Sequence, residues 1–72
     1  MKETYIHNHK VFYDEEKAYE GADYLMRHLD GEEAMVFFDQ AKFKGHITFE
    51  SATGRHFVLT HKEGAYTIEN KF

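Results

Sequence analysis

Hydrophobic and polar residues alternate through the last third of the chain in three short runs, HITFES, RHFVLTH and AYTIEN. An alternation with a period of two is typical of β-strands with one buried face. A three-residue loop ending in a left-handed Gly54 sets Phe49 opposite Phe57, and a two-residue turn at residues 63–64 aligns the third strand. Both registers place the same residues on one face: Ile47, Phe49, Phe57, Leu59, Tyr66 and Ile68. We therefore predict a three-stranded antiparallel meander with one apolar face.

A helical pattern precedes this meander. Asp14 is a suitable N-cap, and the apolar residues that follow recur at spacings of four, three and four: Ala18, Ala22, Leu25 and Leu29. Such a stripe predicts a first helix from about residue 14 to residue 29. Gly21 lies inside it, where glycine costs about 1 kcal/mol relative to alanine.

The segment from Asp30 to Gly45 has two interpretations. As a helix, it begins with a capping-box pair, Asp30 and Glu33, and ends with lysines followed by Gly45 in a left-handed stop. As a strand, residues 34–38 (AMVFF) form a short apolar run with modest β preference. The agreement of the caps with the apolar stripe favours the helix.

The N-terminal stretch YIHNHKVFY raises the question of a metal site. A hairpin turning at residues 8–9 pairs His7 with Lys10 and Ile6 with Val11. If the stretch instead ran straight, His7 and His9 would share a face and could hold a metal ion. We favour the hairpin, and with it histidines that bind no metal, and keep a histidine-based metal-binding protein as an alternative.

Together these elements predict an α+β fold in a single small domain spanning residues 1–72. Its order is an N-terminal strand or hairpin, two helices, and the three-stranded meander, whose apolar face the helices cover. The hydrophobic share of 42% is that of a folded chain. A chain of this length buries only about 60% of the surface that it exposes when unfolded, so self-association would help to stabilise it.

The charge is uneven along the chain. The net charge is −4, and residues 14–33 carry eight acidic against two basic residues. An acidic helical surface attracts a basic protein partner and repels phosphate backbones, which argues against nucleic acid as a partner. The residues we expect to contact the partner are Glu15, Glu16, Glu20 and Asp23.

Surplus aromatic residues indicate self-association as a homodimer, because so small a domain cannot bury them all. We expect the contact at the N-terminal stretch and at the open edge of strand 65–70. The residues assigned to it are Tyr5, Phe12, Tyr13, Tyr66 and Phe72. Alternatively, Phe49 and Phe57 lie side by side on the sheet, as do the aromatic residues that stack on bases in nucleic-acid-binding domains.

Little in the chain indicates catalysis. Cysteine is absent, which excludes thiol nucleophiles and disulfides, and Ser51 is the only serine and lies in no nucleophile motif. The glycines form no phosphate-binding loop, so we expect no cofactor and no enzyme activity. The start of the chain has no signal-like apolar run, and no stretch approaches the ~20 apolar residues needed to span a membrane. We therefore expect a cytoplasmic, non-catalytic interaction or regulatory module.

Overall fold

The computed structural model describes residues 1–71 as a five-stranded mixed sheet with the helices packed on one face. The strands are β1 (Lys2–Ile6), β2 (His9–Tyr13), β3 (His46–Glu50), β4 (His56–Lys62) and β5 (Ala65–Asn70). The helices are α1 (Tyr19–Asp23), which continues as a π-helical turn at Tyr24–His28 (the π segment), and α2 (Gly31–Lys44). The spatial strand order is β1-β2-β5-β4-β3. The α+β class is confirmed.

The C-terminal meander has the predicted registers. Phe49 lies opposite Phe57, and Lys62 lies opposite Ala65. Gly54 has a φ of 87°, as the three-residue loop requires, and the second turn has left-handed backbone at both of its central positions. Local turn chemistry therefore determines these three strands.

The prediction of a sheet limited to three strands is wrong. β1 and β2 form a hairpin, and β2 pairs with β5 in parallel, with Val11 opposite Tyr66. This pairing joins residues far apart in sequence through backbone hydrogen bonds that no turn motif specifies. β5 consequently lies in the middle of the sheet and has no open edge.

The predicted N-terminal hairpin is present, but its turn lies one residue earlier than expected. His7 and Asn8 have φ values of 47° and 69°, and Ile6 pairs with His9 instead of Val11. Left-handed backbone at both central positions is the geometry that matches the twist of a two-residue hairpin. The His7 ring adds a tertiary reason: its Nε2 lies 3.1 Å from the carbonyl oxygen of Leu25, so that the turn is tied to the π segment.

The first helix is shorter than the predicted span of residues 14–29. The Asp14 carboxylate accepts hydrogen bonds from the backbone N–H groups of Glu16 and Lys17 at 2.9 and 3.2 Å, which closes one isolated turn. Ala18 then leaves the helical region, with φ −120° and ψ 10°, so that the regular helix begins only at Tyr19. The apolar stripe identified the correct buried face, whereas the capping residue capped a turn and not the helix.

The second helix forms as predicted. The Asp30 carboxylate accepts from the Glu33 N–H at 2.8 Å, and the Glu33 carboxylate accepts from the Asp30 N–H at 3.2 Å. Gly45 ends the helix with a φ of 94° and donates its N–H to the Ala41 carbonyl. Residues 34–38 are therefore helical, and the strand interpretation is wrong.

One hydrophobic core lies between the helices and the sheet. Its largest fully buried side chains are Phe38, Phe57, Ile6, Leu25, Leu59, Ile68 and Val11. α1 approaches the sheet closely because Gly21 presents no side chain to β4 and β5. Within residues 1–71 the other face of the sheet carries no helix, so the fold leaves both that face and the outward sides of the helices available for contacts.

Candidate functional site

A groove runs between the helical segment 19–28 and the loop that joins β3 to β4. Its volume is about 420 Å³, and its lining combines two carboxylates with two tyrosines and a histidine. The lining residues are Tyr19, Glu20, Asp23, Tyr24, His28, Ser51, Ala52 and Thr53. Two of the four acidic residues expected at a partner surface, Glu20 and Asp23, therefore face the same concavity.

Glu20 connects the two walls of the groove. Its carboxylate accepts hydrogen bonds from the hydroxyl groups of Ser51 and Thr53, and Arg55 lies 3.6 Å from its other oxygen. Ser51 is buried, so its hydroxyl needs this acceptor. These hydroxyl donors, and after them Arg55, hold the pKa of Glu20 below its ordinary value of 4.5. Glu20 is thus an ionised clamp that fixes the loop against α1.

This clamp predicts a loss of stability in acid. Because the pKa of Glu20 is lower in the folded than in the unfolded chain, its stabilising effect is present above about pH 4.5 and lost as the pH falls through the folded value. We expect the melting temperature to fall from pH 5 to pH 3, and to fall less steeply in Glu20→Gln, whose amide still accepts from the hydroxyl groups but does not titrate. Calorimetry between pH 5 and pH 3 measures these melting temperatures. Glu15→Gln is the control and should keep the acid dependence of the wild type. An unchanged acid dependence in Glu20→Gln would contradict the clamp.

Asp23 is held more loosely than Glu20. Its oxygens lie 3.2 Å from Arg27 Nε, one helical turn away, and 3.8 Å from His28 Nε2. The Arg27 side chain is 69% exposed, and an exposed ion pair of this kind contributes about 0.5 kcal/mol. A cationic group from outside can therefore replace Arg27 at little cost, which makes Asp23 the exchangeable carboxylate of the groove.

Aromatic rings form the remaining wall. Tyr24 lies between His28 and Phe49, with ring centroids 5.7 and 6.2 Å apart and near-parallel planes, which fixes its orientation. Tyr19 lines the groove and is 53% exposed, so that part of its side chain is accessible to a ligand. An aromatic face beside a carboxylate is a favourable environment for the guanidinium of arginine or the ammonium of lysine.

The π segment forms part of one wall of the groove. Tyr24 and His28 are its first and last residues, and Leu29 ends it in extended backbone, with φ −110° and ψ 143°. His7 Nε2 donates to the carbonyl oxygens of Leu25 and Leu29 at 3.1 and 3.2 Å. This side chain therefore supplies a donor to carbonyl groups at the end of the helical segment, where backbone donors are lacking. π-helical turns of this kind are frequent at functional sites.

The other two acids of the expected partner surface lie elsewhere. Glu15 and Glu16 belong to the isolated turn after β2 and line a separate depression with Met1, Lys2 and Asp14. The backbone N–H groups of Glu16 and Lys17 hold the pKa of Asp14 below its ordinary value, so this depression is also acidic. The structure thus divides the four acids into two pairs.

A scan against models of known protein families found no match, and searches of curated proteins and of solved structures found no similar protein either. The groove must therefore be interpreted from its own chemistry. In residues 1–71, no helix has the length and apolar character needed to cross a membrane.

The residues expected at a self-association surface are scattered. Tyr5 is 62% exposed and Phe12 half-buried, both on the sheet face that carries no helix. Tyr13 and Tyr66 are only 6% exposed and belong to the core, so the expectation that their rings form a surface is wrong. Their strands are paired on both sides inside the sheet. Phe72 lies outside the described residues.

The two histidines of the N-terminal stretch are committed to backbone contacts. His7 donates to helical carbonyls, as above, and His9 Nδ1 lies 2.9 Å from the His7 carbonyl oxygen while its ring stacks on Phe38. They belong to a turn and to the start of β2, not to one straight strand. Within residues 1–71, no three histidine or acidic side chains are grouped as metal ligands would be.

Stacking of nucleic-acid bases on Phe49 and Phe57 is ruled out by burial. The two side chains are 5% and 0% exposed, because α1 and α2 cover this face of the sheet. Their rings pack against each other at a centroid distance of 5.7 Å as part of the core. Phe49 and Phe57 are therefore not accessible for stacking on bases.

Sequence reasoning missed the contribution of the β3–β4 loop to the groove. From the sequence, Ser51 was considered only as a possible nucleophile at a strand end and Thr53 only as a loop residue, because their acceptor, Glu20, lies 31 residues from Ser51. One signal was present: Ser51 is the only serine and sits beside a strand end, where a buried hydroxyl needs a partner.

Proposed function

We propose that this protein is a non-catalytic interaction module that binds a basic segment of a protein partner in the groove between helical segment 19–28 and the β3–β4 loop. The observation that carries the proposal is the convergence of a loosely paired carboxylate, Asp23, with the exposed side chain of Tyr19 around one concavity. A partner arginine would lie over Tyr19 and replace Arg27 at Asp23.

The electrostatics of the whole chain support a basic partner. The net charge of −4 attracts a cationic segment from a distance and speeds its approach, and the effect weakens as salt is added. Glu20 keeps the wall of the groove rigid, and its lowered pKa suits a structural anion better than a group that transfers protons near neutral pH. The proposal accordingly gives no residue a catalytic role.

The experiment is an NMR titration of the ¹⁵N-labelled protein with a nine-residue peptide of three arginines separated by glycine and serine. We expect amide shifts in residues 19–28 and 51–53, and none with a peptide that has glutamate in place of arginine. Asp23→Asn should weaken binding by up to about fivefold, because an exposed ion pair contributes about 1 kcal/mol at most. Tyr19→Ala should weaken it about threefold through the lost cation–π contact.

The matched control is Glu32→Gln, which removes the same charge from an exposed position on α2. If Glu32→Gln weakens binding as much as Asp23→Asn, the attraction is a property of the net charge and the groove is not the site. Shifts that map to Glu15 and Glu16 instead would assign the partner to the other acidic depression.

A further inference from the structure

The outward side of α2 exposes an unusual amount of apolar surface. Phe43 is 90% exposed, Val36 52% and Met35 51%. Isolated surface hydrophobics are common, but several large ones on one helix form a patch of the kind that marks a contact with another protein. This patch lies on a different helix from the acidic groove and takes no part in the proposed function.

Two of the three side chains, Val36 and Phe43, are arranged as a packing stripe, and Met35 lies about 90° to one side of it around the helix. Ala34, Phe38 and Ala41 form the buried side of α2. At 100° per residue, Val36 and Phe43 point almost directly away from that side and lie seven residues apart, or about 10 Å along the helix axis. Such a stripe, two turns long, is the pattern by which one helix packs against another.

The charges of α2 indicate which partner fits the stripe. Glu32 and Glu33 occupy the first turn, and Lys42 and Lys44 the last. If a second copy of α2 ran parallel to the first, like charges would meet at both ends. If it runs antiparallel, the acidic turn of each copy meets the basic turn of the other.

The charges on each flank of the stripe are also complementary to those on the same flank of a second copy. A two-fold axis brings each flank of one helix against the same flank of its partner. On one flank this places Glu33 near the lysine at position 44 of the second copy. On the other flank, the two-fold axis places Asp39 of each copy between Lys42 of the same copy and Lys42 of the second copy. These lysines offset the repulsion between the two aspartates, which lie near the axis.

We propose that two copies of this chain associate through α2, packed antiparallel about a two-fold axis near Asp39, with Phe43 of each copy against Val36 and Met35 of the other. The contact comprises a single pair of helices and is at the low end of specific interfaces in area, so the dissociation constant is expected to be on the order of 10–100 μM.

Sedimentation equilibrium of the wild-type chain between 10 μM and 1 mM tests the association. We expect a reversible monomer–dimer equilibrium, and a dimer at least tenfold weaker in Phe43→Glu and in Val36→Glu. Both side chains are at least half exposed, so circular dichroism should show both variants folded. The matched control is Thr48→Glu, a charge placed at an exposed residue of β3, which should leave the equilibrium unchanged.

A single cysteine tests the geometry, because the natural chain has none. Gln40→Cys lies close to the proposed axis and should oxidise to a disulfide-linked dimer, whereas Ala52→Cys, in the exposed β3–β4 loop, should form no disulfide-linked dimer under the same conditions. A chain that stays monomeric at 1 mM would overturn the proposal. So would a dimer that Tyr5→Glu abolishes and Phe43→Glu does not, since that result would assign association to the N-terminal hairpin.

Discussion

Gly21→Ala is expected to lower the free energy of unfolding by about 2 kcal/mol, although alanine is the better helix former. A Cβ atom at this position would lie 2.8 Å from Phe57 Cγ, 2.9 Å from Phe57 Cδ1 and 3.1 Å from Ile68 Cγ2. Phe57 and Ile68 are fully buried and cannot move aside. Overpacking of the core should lower the free energy of unfolding by about 3 kcal/mol, and the better helix propensity of alanine should raise it by about 1 kcal/mol. The difference is the expected loss.

Urea denaturation measures this change, and Gly31→Ala is the matched control. Gly31 begins α2, and an added Cβ there would meet only the His7 ring, at 3.8 Å. We expect Gly31→Ala to leave stability unchanged or to raise it by up to about 1 kcal/mol. A Gly21→Ala variant that is as stable as the wild type would show that α1 does not lie as close to the sheet as described.

Phe38→Ala is expected to lower the free energy of unfolding by about 4 kcal/mol. In a domain this small, that loss is enough to leave most molecules unfolded at room temperature. The Phe38 side chain is fully buried. It stacks on the His9 ring at 4.1 Å and contacts the Tyr66 ring edge-on at 4.7 Å. Its backbone carbonyl also accepts the Tyr66 hydroxyl at 3.3 Å, so the cavity would open where β2, β5 and α2 meet.

Far-UV circular dichroism and a proton–nitrogen correlation spectrum at 25 °C would show the loss of structure directly. Phe37→Ala is the control on the same helix, because Phe37 is only half-buried and packs against Phe49 at the margin of the core. We expect it to remain folded, with a loss of about 1–2 kcal/mol. If Phe38→Ala stays folded and loses less stability than Phe37→Ala, the core does not depend on the junction of β2, β5 and α2.

The parts of the fold that could be predicted are those specified by local chemistry. The capping box of Asp30 and Glu33 defines the start of α2, and Gly54 and Gly64 define the two turns of the meander. Each signal acts within a few residues, so sequence position is enough to locate it. Gly21 shows the limit of such reasoning. The sequence indicates only that a glycine within a helix lowers its stability, whereas a glycine is needed here because the sheet surface leaves no space for a side chain.

The parts that could not be predicted depend on contacts between distant segments. The parallel pairing of β2 with β5 has no local signal, and without it Tyr13 had to be treated as a surplus aromatic residue instead of as part of the core. The same limit applies to the groove. Residue types indicated an acidic surface, but only the fold shows that Glu20 and Asp23 share one concavity while Glu15 and Glu16 line another.

The central position of β5 constrains how the chain can fold during synthesis. β5 is the last of the five strands to leave the ribosome, yet β2 and β4 have no connection to each other in the sheet until it is in place. The apolar face of the nascent hairpin therefore stays partly uncovered until β5 is in place, and is exposed to chaperones or to aggregation. We expect the slow step to be the pairing of β2 with β5, a contact of high sequence separation, so this small domain should fold slowly for its size.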